Sequence, residues 1–201
     1  MNILTLDALR TMYAPARERS VKKELKHLDA HCQRFIALSP FVVIASSDVD
    51  GAMDASPRGG TPGFVKAPGE SILLIPDSPG NNRLDSLENI VQTGRIGLLF
   101  LLPGVDESLR VNGRAMLSTA DSDLALCLDP KRRPKLVIRV TIEAAYLHCA
   151  KALMRSELWN PARHVNRTVM PSMGEMMKDQ IGGDVPAETQ AEMLTRYAQD
   201  L

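Results

Sequence analysis

Two segments carry side chains that could bind an anion, and the first precedes a helix predicted over Asn82–Gln92. The segment Pro76–Arg83 contains a glycine, two asparagines and an arginine, and Asn81 or Asn82 is expected to cap the helix. Unpaired N–H groups and the positive end of the helix dipole make such a helix start a site for anions. The guanidinium of Arg83 matches the geometry of phosphate oxygens. A well-capped helix with a surface arginine explains the same pattern, and the segment alone does not decide between the two.

The second segment is Asp54–Gly59, at the end of a predicted strand. Ser56 and Arg58 are two residues apart, so their side chains share one face of that strand. Two arginines and a hydroxyl directed at one anion would suit a phosphomonoester. The sequence alone does not show that the two segments meet, and a shared phosphate site depends on that meeting.

The elements that must position these segments are mainly β-strands. Hydrophobic spacing predicts one amphipathic helix over Arg17–Leu38, and Asp48–Gly51 is typical of a hairpin turn whose glycine takes a positive φ. Gly113 could mark a β-bulge, because the strand pattern continues through it. A last helix is predicted over Pro186–Gln199. Six strands suggest a closed antiparallel barrel: Phe41–Ala45, Ala52–Ser56, Ser71–Ile75, Arg95–Leu102, Ser108–Leu117 and Leu136–Ile142.

An ordered set of short motifs carries a family resemblance that extends from Phe35 to Pro161. Ser56-Pro57-Arg58-Gly59 follows the first hairpin, and Gly80-Asn81-Asn82-Arg83-Leu84-Asp85 leads into the helix. The set continues with Gly97-Leu98-Leu99-Phe100, Glu107-Ser108-Leu109-Arg110-Val111-Asn112-Gly113 and His148-Cys149-Ala150-Lys151-Ala152-Leu153. In this order the motifs resemble those of the pyridoxamine 5′-phosphate oxidase-like flavoproteins.

That resemblance implies a mainly β fold with helical additions, namely an antiparallel six-stranded split β-barrel that binds FMN. It also implies a homodimer with the cofactor at the subunit interface. By position, Ser56, Arg58, Asn82 and Arg83 would hold the FMN phosphate, Arg110 and Asn112 would line the flavin, and Lys151 and Trp159 would approach from the C-terminal part. The expected organisation is a helical segment at 1–40, the split barrel at 41–160 and a helical extension at 161–201.

Residue type alone leaves other roles open for the last four of these side chains. Arg110 and Asn112 alternate correctly to share a strand face, but any solvent-facing pair would do the same. Lys151 could support negative charge on a reduced flavin, and it could equally be a surface lysine. Trp159 is the single tryptophan, and a lone tryptophan is more often a packing anchor than a residue that stacks on a cofactor.

Composition limits the partners that the chain can attract. The formal net charge is zero and the pI is about 6.9, so no long-range attraction for nucleic acid or an anionic membrane is expected. No apolar run reaches the roughly eighteen residues of a membrane span, and Met1–Arg10 lacks the apolar core of a signal peptide. Three cysteines form no disulfide framework, which favours a cytoplasmic protein. His31-Cys32 and His148-Cys149 lack metal-ligand spacing, and we predict no metal site.

The expected function is an FMN-dependent oxidoreductase that acts on an unknown small molecule. Pyridoxamine phosphate oxidases carry a substrate motif with arginine and histidine near the C-terminus, and Arg163-His164 is only a faint match to it. That particular reaction is therefore not the favoured one. A non-catalytic protein that binds or senses flavin or haem on the same barrel is the main alternative. A barrel that has lost its ligand is the third.

Overall fold

The computed structural model of the protein describes residues 2–130, 133–183 and 186–199. The chain divides into two compact units, Met1–Ser156 and Glu157–Leu201, and each is described by itself. In the first unit the helices are α1 (Leu6–Arg10), α2 (Glu18–Lys22), α3 (Ala30–Leu38), α4 (Asp85–Thr93), α5 (Asp121–Leu126) and α6 (Lys151–Ser156). The strands are β1 (Phe41–Ser47), β2 (Met53–Gly59), β3 (Ile72–Pro76), β4 (Arg95–Leu102), β5 (Val105–Ser118) and β6 (Val137–His148).

The six strands form one sheet in the order β2-β1-β4-β5-β6-β3, and every neighbouring pair is antiparallel. This confirms the predicted antiparallel six-stranded split β-barrel with helical additions. The strand order has two ends in the part of the chain that the structure describes. The barrel is therefore split between β2 and β3. The closed barrel that the strand pattern suggested is not formed, because no hydrogen bonds join these two strands in the described part of the chain. The edge position of β2 explains why it tolerates Pro57, which has no N–H to donate.

The core lies on one face of this sheet, because alternate residues of the strands point to the same side. Phe35 and Ile36 of α3 and Leu87 and Ile90 of α4 pack on that face. The buried strand residues in this core are Val42, Ile44, Leu73, Ile75, Ile96, Leu98, Phe100, Leu109, Val111, Ala115, Ile138, Val140, Ile142 and Ala145. A smaller cluster of Leu74, Leu124, Cys127 and Val137 packs α5 against β3 and β6.

The predicted single helix over Arg17–Leu38 is wrong, because the structure has α2 and α3 with an extended segment between them. Leu25 in that segment exchanges two backbone hydrogen bonds with Ala145 of β6, at 3.0 and 2.7 Å. Asp29 then begins α3, and its Oδ1 accepts a hydrogen bond from the N–H of Cys32 at 2.8 Å. The spacing of apolar residues did not reveal the break, since its cause is a pairing with a distant strand.

Two glycine predictions are confirmed by the backbone. Gly51 has a φ of 88° in the hairpin between β1 and β2. The side chain of Asp48 stabilises that turn by accepting from the N–H groups of Asp50 and Ala52, at 2.9 and 2.8 Å. Gly113 lies at a shift in the register of β5 and β6, and a Cβ there would be 2.1 Å from the carbonyl oxygen of Thr141.

The described residues of the second unit form two α-helices, α7 (Met173–Ile181) and α8 (Gln190–Tyr197), each with a capping box at its start. The helix predicted over Pro186–Gln199 is therefore shorter than expected, because Thr189 caps it. Gly174 allows α7 to approach Glu188 closely, since a Cβ would be 2.1 Å from the Glu188 carbonyl oxygen. Among the described residues of both units, no helix has the length and hydrophobicity needed to cross a lipid bilayer.

Candidate functional site

Side-chain hydrogen bonds fix α4 beside the edge strand β2 and its neighbour β1. The hydroxyl of Ser86, which is buried in the first turn of α4, donates to Oδ2 of Asp54 in β2 at 2.5 Å. Further along the helix, the Asn89 amide donates to the Ser46 hydroxyl at 3.1 Å. The Thr93 hydroxyl donates to the Ser47 carbonyl, also at 3.1 Å. The first turn of α4 and the start of β2, which the sequence could not relate, therefore meet in the folded chain.

The helix begins later than predicted, and neither asparagine caps it. Leu84 is the N-cap residue, with a φ of 61°, and no side chain in the described part of the chain caps α4. The carboxamide of Asn81 instead accepts from the N–H of Arg83 at 3.1 Å, and Asn82 adopts a φ of 59°. Asparagine tolerates this left-handed region, whereas a branched residue such as leucine rarely adopts it. The first turn of α4 thus presents N–H donors and a positive dipole end without a capping oxygen.

The predicted phosphate ligands Ser56 and Arg58 lie on β2, and Arg83 lies just before α4. Asp54, Ser56 and Arg58 form the half-buried face of β2, and the residues between them are exposed. Arg58 donates to the Ser56 hydroxyl and, at 3.0 Å, to the carbonyl of Pro57. Arg83 donates to Asp85 at 2.8 Å, and 72% of its side chain is exposed to solvent. An ion pair this exposed contributes little energy, so Arg83 can exchange it for a ligand at small cost.

The structure does not place Arg110 and Asn112 with these residues. Cross-strand partners point to the same side of a sheet, so the register assigns each side chain to a face. Ser56 pairs with buried Ile44 and belongs to the core face. Arg110 and Asn112 belong to the opposite face, called the outer face here, which includes Ala55, Pro57, Val43, Ala45, Gly97 and Leu99. Within one chain the two sets of predicted ligands therefore project from opposite faces.

The other two predicted ligands lie near the end of the first unit and in the second. Lys151 is the first residue of α6, and its side chain is exposed. Trp159 belongs to the second unit and is half-buried there.

Ser86 and Tyr146 were missed by the sequence analysis. A serine in the first helical turn is common, and its link to Asp54 becomes visible only in the fold. Tyr146 of β6 pairs with Arg110 on the outer face, and the guanidinium carbon lies 5.3 Å from the centre of its ring. The alternation of β6 assigns Tyr146 to a face, but only the register with β5 identifies Arg110 as its partner.

The two buried cysteines are poorly suited to nucleophilic chemistry. Burial, with a smaller contribution from Asp29, raises the pKa of the Cys32 thiol to about 12. Burial likewise raises the pKa of the Cys127 thiol to about 11. Because the thiolate is the nucleophile, both groups are protonated and unreactive near neutral pH.

The strand order and the antiparallel pairing define the protein as a split β-barrel. The family model described as pyridoxamine 5′-phosphate oxidase matches residues 28–149, which is more than half of the chain. The protein belongs to this family. The matched range includes the whole sheet, the start of α4 and the face of β2 that carries Ser56 and Arg58.

Solved structures provide a second comparison, and they support the fold alone. A variant of the Group A Streptococcus protein HupZ is 14% identical, with a TM-score of 0.50 over 60% of this chain and 98% of that chain. An FMN-binding protein from Syntrophomonas wolfei is 13% identical, with a TM-score of 0.45 over 57% and 81% of the two chains. The FAD binding protein from Mycobacterium smegmatis is 16% identical, with a TM-score of 0.43 over 61% and 98%. No curated protein sequence matches the chain.

Proposed function

We propose that the protein binds FMN and that Ser56, Arg58, Asn82 and Arg83 hold its phosphate. The observation that carries this proposal is the hydrogen bond between Asp54 and Ser86, because it brings β2 and the start of α4 together. This contact supports the proposal that the two fragments, each compatible with an ordinary structural role, act as one anion site. Membership of the pyridoxamine 5′-phosphate oxidase family supports FMN as the source of that anion.

The donor set fits a phosphate dianion in its chemistry. The uncapped first turn of α4 offers backbone N–H groups, and the positive end of the helix dipole favours an anion there. Two guanidinium groups and one hydroxyl add charged and neutral donors. The one carboxylate on this face of β2, that of Asp54, is engaged by Ser86, so we assign Asp54 to positioning the helix rather than to binding phosphate.

The proposed activity is that of an FMN-dependent oxidoreductase with a small organic substrate. FMN, when bound, supplies reversible hydride and electron transfer, and the protein supplies position and electrostatics. The side chains of β2 and of the segment before α4 would fix the phosphate end of FMN. Lys151 and Trp159 remain proposed ligands from the C-terminal part. A cytoplasmic location remains a prediction from the use of cysteine.

A homodimer would reconcile the two sets of ligands that project from opposite faces. The outer face carries apolar and small side chains that stay accessible, and Leu99 is 37% exposed. We propose that a second copy covers this face, so that Arg110 and Asn112 line a flavin at the subunit interface. Apolar residues at the centre of such a patch are typical of homodimer interfaces. Sedimentation that gives only monomer would count against this part of the proposal.

The visible spectrum of the purified protein tests the proposal. Flavin absorption that is lost on addition of NADPH or NADH and returns in air would support an oxidoreductase. Flavin absorption that no reductant changes would support the alternative, a non-catalytic binding or sensing protein. A Soret band would identify haem as the ligand instead. Colourless protein that takes up no added FMN would contradict the proposed cofactor.

A further inference from the structure

The first residues of the chain expose apolar side chains that do not join the core. Residues 2–24 are all exposed to solvent, and neither α1 nor α2 contains a buried residue. Six large apolar side chains in this segment have exposed fractions between 38% and 85%, namely Ile3, Leu4, Leu6, Leu9, Met12 and Tyr13. Contact with water is unfavourable for this much apolar surface, so the segment suits a partner that buries it.

Three of these side chains share one face, called the apolar stripe here. Leu6 and Leu9 are three residues apart in α1, and Tyr13 follows four residues later. The backbone stays coiled past the end of α1, because the N–H of Tyr13 donates to the carbonyl of Arg10 at 3.3 Å. Side chains three and four residues apart lie on the same side of such a segment.

A basic stretch follows the apolar stripe at residues 17–26. It contains five basic side chains and two acidic ones, namely Arg17, Arg19, Lys22, Lys23 and Lys26 against Glu18 and Glu24. Five positive and two negative charges leave a net charge of +3 over ten residues, whereas the whole chain is neutral. The positive charge of the chain is therefore concentrated beside its exposed apolar segment.

Most of these cations can contact a ligand. In the ranges that the structure describes, three of the five have no acidic partner, namely Arg17, Arg19 and Lys26. Lys22 pairs with Glu18, but the two side chains are 74% and 78% exposed, so the pair contributes little energy and can be exchanged. Lys23 is the exception, because its Nζ donates to the carbonyl of Leu147 at 2.7 Å.

The apolar stripe and most of the basic stretch precede the first backbone contact with the sheet. Among the described residues, that contact is at Leu25, which exchanges two hydrogen bonds with Ala145 of β6. The N–H of Leu28 then donates to the carbonyl of Glu70 at 2.7 Å. Residues 3–26, called the arm here, thus leave the barrel from a fixed point, and they include none of the proposed FMN ligands.

We propose that the arm binds the surface of an anionic phospholipid bilayer. The apolar stripe enters the boundary between headgroups and acyl chains, and Arg17, Arg19, Lys22 and Lys26 contact lipid phosphates. A neutral chain has no long-range attraction for a membrane. The charge of a membrane acts only within about one Debye length, roughly 8–10 Å at cellular salt, and at that range the local charge of the arm decides.

The combination of apolar and basic side chains favours a bilayer over other partners. A bilayer is an extended surface, so these side chains need not converge on one point as they would for a small anion. Nucleic acid would engage the basic stretch and leave the apolar stripe in water. Two arms packed against each other would bury the stripe, but they would also bring two basic stretches together, and like charges repel.

The test is sedimentation of the full chain with vesicles of phosphatidylcholine and phosphatidylglycerol in a ratio of two to one. We expect binding that falls as salt is raised, and binding to pure phosphatidylcholine that is weaker by at least about thirtyfold. Leu6→Ser combined with Leu9→Ser should weaken binding at least about tenfold, because two side chains no longer enter the bilayer. Arg17→Gln combined with Arg19→Gln should weaken it about ten- to thirtyfold.

Two control variants make the same chemical changes outside the arm. Val165→Ser with Val169→Ser alters an apolar pair that is 73% and 61% exposed, and Arg155→Gln with Lys178→Gln removes two exposed charges. Each should change vesicle binding by less than about twofold, because charges beyond a Debye length are screened and other apolar groups stay outside the bilayer.

The absence of binding to anionic vesicles, equal binding to neutral ones, or equal losses in the arm and control variants would overturn this proposal. Sedimentation without vesicles tests the competing partner. Arm variants that convert a dimer into a monomer would also overturn the proposal, because they would assign the arm to a second copy. The proposal does not rest on FMN binding, and a protein that takes up no flavin can be tested in the same way.

Discussion

The carboxylate of Asp54 accepts a hydrogen bond from the hydroxyl of Ser86 at 2.5 Å. Asp54 is on the edge strand of the sheet, and Ser86 is in the first turn of the helix that follows the predicted phosphate segment. This one bond ties the backbone that presents Ser56 and Arg58 to the backbone that presents Asn82 and Arg83. The proposed phosphate site depends on that connection, and its energetic and functional consequences can be measured separately.

Replacement of Ser86 by alanine should destabilise the protein. The variant leaves the half-buried carboxylate of Asp54 without its donor, which typically costs about 1–3 kcal/mol. FMN binding should also weaken, because the start of α4 loses its link to β2. Urea unfolding measures the first effect. Ser78→Ala, at an exposed serine in the preceding loop, is the control, and a Ser86→Ala variant as stable as this control would show that the bond contributes nothing.

Replacement of Arg83 by alanine should weaken FMN binding with little effect on stability. The loss of one charged hydrogen bond to phosphate corresponds to about 1.5–3 kcal/mol of binding free energy. The exposed Arg83–Asp85 pair that disappears with it contributes at most about 1 kcal/mol to folding. Fluorescence titration with FMN gives the affinity, and Arg95→Ala, an exposed arginine just beyond the other end of α4, is the matched control. Unchanged affinity in Arg83→Ala would remove Arg83 from the site.

Replacement of Gly113 by alanine should destabilise the sheet where β5 and β6 change register. The new Cβ would be 2.1 Å from the carbonyl oxygen of Thr141, so the backbone must move. Such overpacking costs about 1–3 kcal/mol. Thermal unfolding measures the loss. Gly69→Ala introduces its Cβ into open space and should leave the melting temperature almost unchanged. Equal melting temperatures for the two variants would contradict the tight packing at the bulge.

Replacement of Asp29 by alanine should destabilise α3 in a pH-dependent way. The backbone N–H of Cys32 lowers the pKa of Asp29 below its ordinary value of 3.8. A carboxylate with a lowered folded pKa stabilises the protein above pH 3.8, and this contribution is lost as the pH falls through the folded value. The loss in Asp29→Ala should be about 0.5–2 kcal/mol at neutral pH, and it should shrink in acid. Unfolding at several pH values, with exposed Asp179→Ala as the control, tests this, and a pH-independent difference would contradict it.

The local features of the fold could be predicted from the sequence because their causes are local. The positive φ of Gly51 follows from the hairpin turn, and the bulge at Gly113 follows from a strand pattern that continues through a glycine. The break between α2 and α3 could not be predicted, because Leu25 pairs with a strand far along the chain. The prediction that Asn81 or Asn82 caps α4 was wrong although its cause is local, since Asn81 bonds to Arg83 within the loop instead.

Prediction of the candidate site from the sequence is also limited by pairings between distant strands. Alternation places Ser56 with Arg58, and Arg110 with Asn112, on common faces of their own strands. It cannot say whether the two pairs share a face of the sheet, because that depends on the register of β1, β4 and β5 between them. The structure supplies this register and separates the pairs. It also supplies the contacts of Ser86 and Tyr146, whose residue types gave no signal of their own.

The most direct test of the proposed phosphate site compares FMN with riboflavin, which has the same ring system without the phosphate. If Ser56, Arg58, Asn82, Arg83 and the start of α4 hold the phosphate, the wild-type protein should bind FMN at least about tenfold more tightly than riboflavin, since even one charged hydrogen bond has that value. In Arg83→Ala this difference should shrink by about tenfold or more, because FMN binding weakens while riboflavin binding does not change. Equal affinities of the wild-type protein for FMN and riboflavin would contradict the account.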